Sequence, residues 1–139
     1  MLTHETELKV RYAETDKMGY VYYGHYAQYY EVGRTELMKS LGLSYKNLEE
    51  EGYMLPVINL QINYKQSATY DEILTIKTTI KGYSLLKITF LYEIYNQEKI
   101  CINTGETTLV FVDAKTRKPH KAPEYFLNKL HEISLQKKQ

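Results

Sequence analysis

Alternation of apolar and polar residues between positions 58 and 112 constrains the fold more than any other feature of this sequence. Neighbouring side chains of a β-strand point to opposite faces, so such alternation predicts strands with one buried face. The alternating stretches are 58–64, 74–80, 86–94 and 100–112, with a shorter one at 8–12. Turn-forming residues separate the four longer stretches from one another, which favours antiparallel pairing of successive strands.

A helical period replaces the alternation between about positions 24 and 41. The apolar or small residues Tyr26, Tyr30, Gly33, Leu37 and Leu41 recur every three or four positions. This spacing predicts one buried face of a helix of about 17 residues. Gly42 directly follows the pattern and is the predicted end of the helix.

Two shorter helices are predicted from local signals. Ser44 is a suitable N-cap for a short helix that ends at Gly52, and Pro123 stands where a C-terminal amphipathic helix can begin. An antiparallel sheet with one apolar face needs a cover, and the long helix is the only element large enough. The predicted fold class is α+β, a curved antiparallel sheet of about five strands wrapped around a long central helix.

Length and charge narrow the class of protein. The 139 residues are predicted to form one domain over positions 1–139. A formal charge of +1 gives no support for a nucleic acid or an anionic membrane surface as a partner. Cys101 is the only cysteine, and the sequence has no signal peptide and no apolar run of membrane-spanning length, so a cytoplasmic protein is expected. The scattered histidines predict no metal site.

Asp16, in the segment "ETDKMGYVYYGH", allows two interpretations. The first is structural: an aspartate in a turn accepts a hydrogen bond from the backbone near Met18. The second is catalytic, because the segment leads to a helix N-terminus whose amides lack intrahelical partners. Such amides can stabilise an oxyanion on a carbonyl, and a nearby carboxylate can activate water or attack that carbonyl.

Other residues of the segment have equally simple structural interpretations. The tyrosines suit a core or an interface, since each ring has one polar end. His25 is expected at the surface. Glu31 and Arg34 lie three residues apart on the predicted helix and are expected to form an exposed ion pair.

The segment "YAETDKMGYVYYGHYAQYYEVGRTELM" resembles the signature of the 4-hydroxybenzoyl-CoA thioesterase family, which has the hotdog fold. The later segments "NLQINYKQSATYDEILTIKTTI" and "GETTLVFVDAKTRKPHKAPE" are similar to further strands of that family. The resemblance covers roughly residues 5–128. The resemblance implies a hotdog fold, which is an α+β arrangement of a curved antiparallel sheet around a central helix, as predicted above.

The resemblance also implies roles for individual residues. Asp16 matches the catalytic aspartate of the family, which is a nucleophile or a general base. The backbone N–H of Tyr23, with that of Gly24 beside it, matches the group that meets the thioester carbonyl. Another branch of the family carries histidine at the position of Tyr23, so a histidine-assisted mechanism is not expected here. The predicted substrate-binding residues are Tyr12, His25, Tyr26 and Tyr30.

The activity implied by the resemblance is hydrolysis of acyl-CoA or acyl-carrier-protein thioesters, without metal or cofactor. The family also implies a homodimer or homotetramer with active sites at the subunit interface. Two alternatives remain open: a hotdog acyl-thioester dehydratase, and a non-catalytic protein that binds acyl thioesters. The length of the acyl chain, and its aryl or alkyl character, also stay open.

Overall fold

The computed structural model describes residues 2–137 of the chain. The main sheet contains Leu2–Lys9 (β1), Val57–Tyr64 (β3), Ile73–Tyr83 (β4), Lys87–Tyr95 (β5) and Cys101–Val110 (β6). A small second sheet pairs Tyr53–Met54 (β2) with Val112–Asp113 (β7). The α-helices are Tyr26–Ser40 (α1), Tyr45–Glu50 (α2) and Glu124–Lys137 (α3), and 3-10 turns occupy Tyr12–Glu14 and Tyr23–His25.

The main sheet has the strand order β1-β4-β5-β6-β3, and each neighbouring pair is antiparallel. Alternate residues of β4 and β5 are buried, as the sequence alternation predicts. Helix α1 packs against β1, β4 and β5 on the face that these residues form. The predicted α+β hotdog arrangement, a sheet of five strands with a long helix on one face, is therefore confirmed.

The core lies between α1 and this face of the sheet. Its sheet side contributes fully buried residues, among them Leu74, Ile76, Phe90, Ile94 and Ile102. Its helix side contributes Tyr26, Tyr29, Tyr30, Leu37 and Met38. Each fully buried apolar side chain stabilises the fold by roughly 1.5–3 kcal/mol relative to an exposed one, so this layer is the main source of stability.

Two glycines allow the helix and the sheet to approach closely. A Cβ atom at Gly33 of α1 would overlap Thr78, and one at Gly105 of β6 would overlap the ring of Tyr30. That ring lies flat on Tyr92 of β5, with ring centroids 4.2 Å apart. The missing side chain at Gly105 therefore makes the space that the Tyr30 ring fills.

Strand β3 forms one edge of the sheet and is exposed along most of its length. Its exposed apolar side chains are Val57, Ile58, Leu60 and Tyr64. An exposed apolar edge strand offers unpaired backbone groups to another chain. This edge is the part of the fold that is least protected against association.

The element boundaries differ from the sequence prediction mainly at the N-terminus. Strand β1 begins at Leu2 and ends at Lys9, so it includes polar residues that hide the alternation, and Tyr12 lies beyond it in a 3-10 turn. Helix α1 begins at Tyr26, after a 3-10 turn, and is about two residues shorter than predicted.

The predicted helix ends and caps are confirmed. Gly42 has φ of +75°, and the amides of Gly42 and Leu43 bond back to the last turn of α1. The Ser44 hydroxyl accepts from the Asn47 amide at 3.1 Å, which caps α2. Helix α3 begins directly after Pro123.

No helix within residues 2–137 combines the length and apolar character that crossing a membrane requires.

Candidate functional site

A tight loop brings the segment around Asp16 beside the residues that precede α1. The Tyr22 amide donates to the Glu14 carbonyl at 2.9 Å, and the Asp16 amide donates to the Tyr20 carbonyl at 2.8 Å. Gly19 closes the loop with φ of +83°, a conformation that glycine adopts without steric cost. The loop is therefore a short antiparallel turn with its two sides hydrogen-bonded.

The two carboxylate oxygens of Asp16 have different surroundings. Oδ1 accepts hydrogen bonds from the amides of Met18 at 2.9 Å and Tyr20 at 3.3 Å. The predicted Asx-turn at Met18 is thus confirmed. Within residues 2–137, Oδ2 has no hydrogen-bond donor, and the residue is half-buried. The structural role of Asp16 uses one oxygen and leaves the other free for chemistry.

The start of α1 presents unpaired backbone amides. Tyr23 and Gly24 belong to the 3-10 turn before the helix, and both residues are exposed. The His25 amide donates to the Tyr22 carbonyl at 2.9 Å, whereas the amides of Tyr23 and Gly24 find no acceptor among residues 2–137. Free N–H groups at a helix start carry partial positive charge and attract a developing oxyanion.

Asp16 and these amides lie near each other without direct contact. Asp16 pairs with Tyr20 and Glu14 pairs with Tyr22, so Asp16 is two pairing positions from Tyr22 and three from Tyr23. The carboxylate and the amides therefore belong to one hydrogen-bonded loop.

Two predicted substrate-binding residues lie at the surface around this loop. Tyr12 is 78% exposed and meets Tyr70 edge-to-face, with ring centroids 5.6 Å apart. His25 is half-buried, and its Nδ1 lies 2.9 Å from Oε1 of Gln28. Both residues flank the loop in the sequence, and their contact with substrate stays a prediction.

The other two predicted substrate-binding residues lie inside the core. Tyr26 is 2% exposed, and its hydroxyl accepts from the Ala68 amide at 3.2 Å. Tyr30 is fully buried, and its hydroxyl donates to the side chain of Asn103. Both hydroxyls are engaged within the fold. Their positions favour the packing role over the substrate-binding role, which stays untested.

Glu14 is a site residue that the sequence did not reveal. Its carboxylate is buried and accepts from the Arg11 amide at 2.8 Å and the Tyr29 hydroxyl at 3.0 Å, with the Arg11 guanidinium at 3.2 Å. Burial acts to raise the pKa of Glu14, but these hydrogen bonds and the charge of Arg11 outweigh it, so the pKa lies below its usual value. Glu14 therefore fastens the Asp16 loop to α1.

A groove lies between α1 and β3. The Tyr64 hydroxyl donates to the Tyr23 carbonyl at 3.0 Å and joins the end of β3 to the start of α1. Further along, a cavity of about 260 Å³ is lined by Ala27, Gln28, Glu31, Arg34, Val57, Leu60 and Thr107. We call this the helix–strand groove. Its mostly apolar walls suit an acyl group.

The prediction of an exposed ion pair between Glu31 and Arg34 on α1 is wrong. Glu31 is exposed, whereas Arg34 is 9% exposed, and Arg34 forms no ion pair with any carboxylate of residues 2–137. Its guanidinium instead turns inward toward the Tyr92 hydroxyl, which it reaches at 3.5 Å. The helix buries this residue because Arg34 shares the face of Tyr30 and Leu37.

The described residues contain no group of three histidine, cysteine, aspartate or glutamate side chains that could hold a metal ion. The chemistry available at this site is that of one free carboxylate oxygen, two exposed amides and an adjoining apolar groove.

Comparison with known proteins gives a consistent result. The family described as the thioesterase-like superfamily matches residues 10–130. YneP of Bacillus subtilis, provisionally named an acyl-CoA thioesterase, is 38% identical over 119 residues, which are 86% of each chain. The acyl-CoA thioester hydrolase YbgC of Escherichia coli is 31% identical over 117 residues, 84% of this chain and 87% of YbgC.

Among solved structures, a DHNA-CoA thioesterase from Staphylococcus aureus superimposes with a TM-score of 0.91. It is 39% identical, and the alignment covers 99% of this chain and 92% of that protein. A likeness of this extent in both sequence and structure includes the Asp16 loop, α1 and the whole main sheet.

Proposed function

The chain belongs to the thioesterase-like superfamily and is a thioester hydrolase; we propose that it cleaves acyl-CoA substrates with Asp16, at the amides of Tyr23 and Gly24. Water adds to the carbonyl carbon of the thioester, the carbon–sulfur bond breaks, and the products are the free acid and the thiol of CoA. The implied tetrahedral intermediate bears a negative oxygen, which defines what the site has to stabilise.

The observation that carries this proposal is the pair of exposed amides at the start of α1. Neither the Tyr23 nor the Gly24 amide is used within residues 2–137, and both residues are exposed, with the Tyr22 ring beside Gly24. Fixed amides aimed at a developing oxyanion typically accelerate acyl transfer by a factor of about 10²–10³. A carbonyl oxygen that docks on these two amides directs its acyl group toward the helix–strand groove.

Asp16 supplies the reacting carboxylate. Its Oδ1 is held by the amides of Met18 and Tyr20, which fixes the orientation of the side chain, and its Oδ2 is free. As a general base, Oδ2 takes a proton from the attacking water; as a nucleophile, it forms an anhydride that water then cleaves. Both routes need the charged carboxylate and give the same products.

The proposal includes assembly into a homodimer or homotetramer. Strand β3 is an edge strand, so the backbone groups along one of its edges have no neighbouring strand in this chain's sheet. It also carries the exposed side chains of Ile58, Leu60 and Tyr64. Pairing of two β3 edges would bury these side chains and continue the sheet across two subunits. The helix–strand groove borders β3, so the partner would complete its wall.

Replacement of Asp16 by asparagine tests the proposed chemistry. Asparagine keeps the Oδ1 acceptor that holds Met18 and Tyr20, so Asp16→Asn is expected to fold normally and to lose the charged oxygen. Release of free thiol from a panel of acyl-CoA thioesters is expected to fall by a factor of about 10² or more.

Asp71→Asn is the matched control. Asp71 is an exposed loop aspartate whose one ion pair, with Lys9, is also exposed, so this variant is expected to retain the parental rate. An Asp16→Asn protein that hydrolyses thioesters as fast as the control would refute the proposed role of Asp16. Binding of thioesters by the parent without release of thiol would support the non-catalytic alternative instead.

A further inference from the structure

Arg34 is a buried cation without an anion. Its guanidinium lies 3.5 Å from the neutral hydroxyl of Tyr92 and beside that of Tyr45, and no carboxylate of residues 2–137 pairs with it. Withdrawing a charge from water costs several kcal/mol unless charged or polar partners replace the lost hydration. One weak hydrogen bond to a hydroxyl does not replace it.

The groups around Arg34 are hydroxyls, and not all of their hydrogen-bonding capacity is used. The Tyr45 hydroxyl is buried, and within residues 2–137 it has no hydrogen-bond partner. Burial raises the pKa of Tyr45, and the charge of the neighbouring Arg34 opposes that rise, so this phenol stays a neutral donor. The Tyr92 hydroxyl is already shared with Thr107 at 2.6 Å. The Tyr45 hydroxyl is therefore a free donor beside the Arg34 guanidinium.

Two cavities meet at these donors. The helix–strand groove reaches Arg34 from the side of α1 that faces β3. A second cavity, of about 320 Å³, reaches Arg34 from the side of α2 and is also lined by Tyr45, Leu48, Glu49, Tyr53, Leu55 and Leu109. Glu31 lines both cavities, which places them side by side. The unused donors thus face space that a ligand can enter.

We propose that Arg34, with Tyr45, binds a carboxylate at the far end of the acyl group. This inference rests on the proposed function and names the substrate class for the same site: acyl thioesters with a polar distal end. Hydrogen bonds from a guanidinium to an anionic oxygen are about twice as strong as neutral ones, and burial strengthens them further.

The spacing along α1 agrees with this assignment. Arg34 follows Gly24 by ten residues, or roughly 15 Å of helix at a rise of about 1.5 Å per residue. Helical side chains lean toward the helix N-terminus, so the guanidinium lies closer to the amides than its Cα does. The remaining distance suits a medium-length acyl group whose thioester carbonyl rests on Gly24.

Binding of two matched CoA thioethers, which cannot be hydrolysed, tests the inference. Both carry an eight-carbon chain, one ending in a carboxylate and the other in a methyl group. Titration calorimetry with the parent protein is expected to show at least about 10-fold tighter binding of the carboxylate-ended thioether. Arg34→Met, which keeps the volume and removes the charge, is expected to abolish that preference, and the exposed-arginine control Arg117→Met is expected to keep it.

Tyr45→Phe is a second test variant, and it removes only one oxygen atom. Its expected effect is a reduction of the preference by about 3-fold or more, even if Arg34→Met fails to fold. Equal affinity of the parent for the two thioethers, or an unchanged preference in either variant, would overturn the inference. Weaker binding of both thioethers by the same factor would also overturn it, because it would show a structural role, such as neutralisation by a carboxylate of a second subunit.

Thiol release by the parent from the corresponding thioesters separates this inference from the proposed function. Discrimination between the thioethers without any hydrolysis would refute the thioesterase chemistry and leave the Arg34 assignment intact. Hydrolysis of both thioesters at equal kcat/KM would refute only the assignment.

Discussion

The Tyr29 hydroxyl, in the first turn of α1, donates to Oε1 of the buried Glu14 at 3.0 Å and so fixes the Asp16 loop to α1. The same glutamate pairs with the Tyr22 amide through its backbone carbonyl. The distance between the two halves of the proposed site therefore depends on one residue that takes no part in the chemistry.

Removal of the Tyr29 hydroxyl is expected to loosen this connection. Tyr29→Phe leaves a buried carboxylate short of one donor, which costs roughly 1–3 kcal/mol of unfolding free energy. Thioester turnover is expected to fall with it, because Asp16 loses its fixed distance from the amides of Tyr23 and Gly24. Urea unfolding and thiol release measure the two effects. Tyr83→Phe, at an exposed ring, is the control, and equal stability of the two variants would contradict the interpretation.

Glu14 also predicts a pH dependence of stability. Its pKa is lower in the folded protein than the usual 4.5, so the folded state favours the charged form. The resulting stabilisation is complete above the unfolded pKa and is lost as the pH falls through the lower folded pKa. Urea midpoints between pH 3 and 7 are expected to drop on acidification, and Glu14→Gln is expected to show a shallower drop.

Asp113 does not blur that comparison. Backbone hydrogen bonds from Thr116 and Lys115 also lower the pKa of Asp113, so it contributes over the same acidic range in both proteins. The difference between the two curves reports Glu14 alone. Parallel curves for the parent and Glu14→Gln would exclude the ionised Glu14 as a source of stability.

Gly105 is expected to tolerate no side chain. A methyl group there would overlap the Tyr30 ring, which is fully buried and stacked on Tyr92 and cannot move aside. Gly105→Ala should lower the unfolding free energy by about 2–4 kcal/mol. Gly82→Ala, also in the main sheet but with open space around its Cβ, should change it by less than about 1 kcal/mol. Similar thermal midpoints for the two variants would refute the packing argument.

The edge of β3 makes a prediction about assembly. Leu60→Lys places a charge on the exposed edge strand, where lysine opposes pairing with another chain. Sedimentation velocity is expected to show an oligomer for the parent and a monomer for this variant. Leu85→Lys, at an exposed leucine outside the strands, is expected to remain an oligomer. Dissociation of both variants, or of neither, would remove β3 from the interface.

The regular elements were predictable because their periodicity survives in the sequence. Strands β4 and β5 alternate strictly, and the ends of α1 and α2 carry a glycine and a serine whose roles are local. Strand β1 was predicted too short, since His4 and Thr6 stand at inward positions where apolar residues are expected. Local sequence was enough to predict a feature wherever the residues that form it are near one another in the chain.

The buried charges of the site were not predictable for the opposite reason. Glu14 is stabilised by Tyr29, fifteen positions away, and Arg34 reaches Tyr92, fifty-eight positions away. Periodicity placed Arg34 on the helix but favoured its neighbour Glu31 as a partner. Only the position of the sheet beneath α1 decides that the guanidinium turns inward.

The unequal use of the two oxygen atoms of Asp16 bears on how catalytic activity can be lost in this family. The acceptor that shapes the loop is equally available in an asparagine, whereas the atom proposed for chemistry is not. One nitrogen in place of one oxygen would thus turn a hydrolase into a folded receptor for acyl thioesters. Homologues with asparagine at this position are accordingly the first place to look for proteins that sense or carry these metabolites.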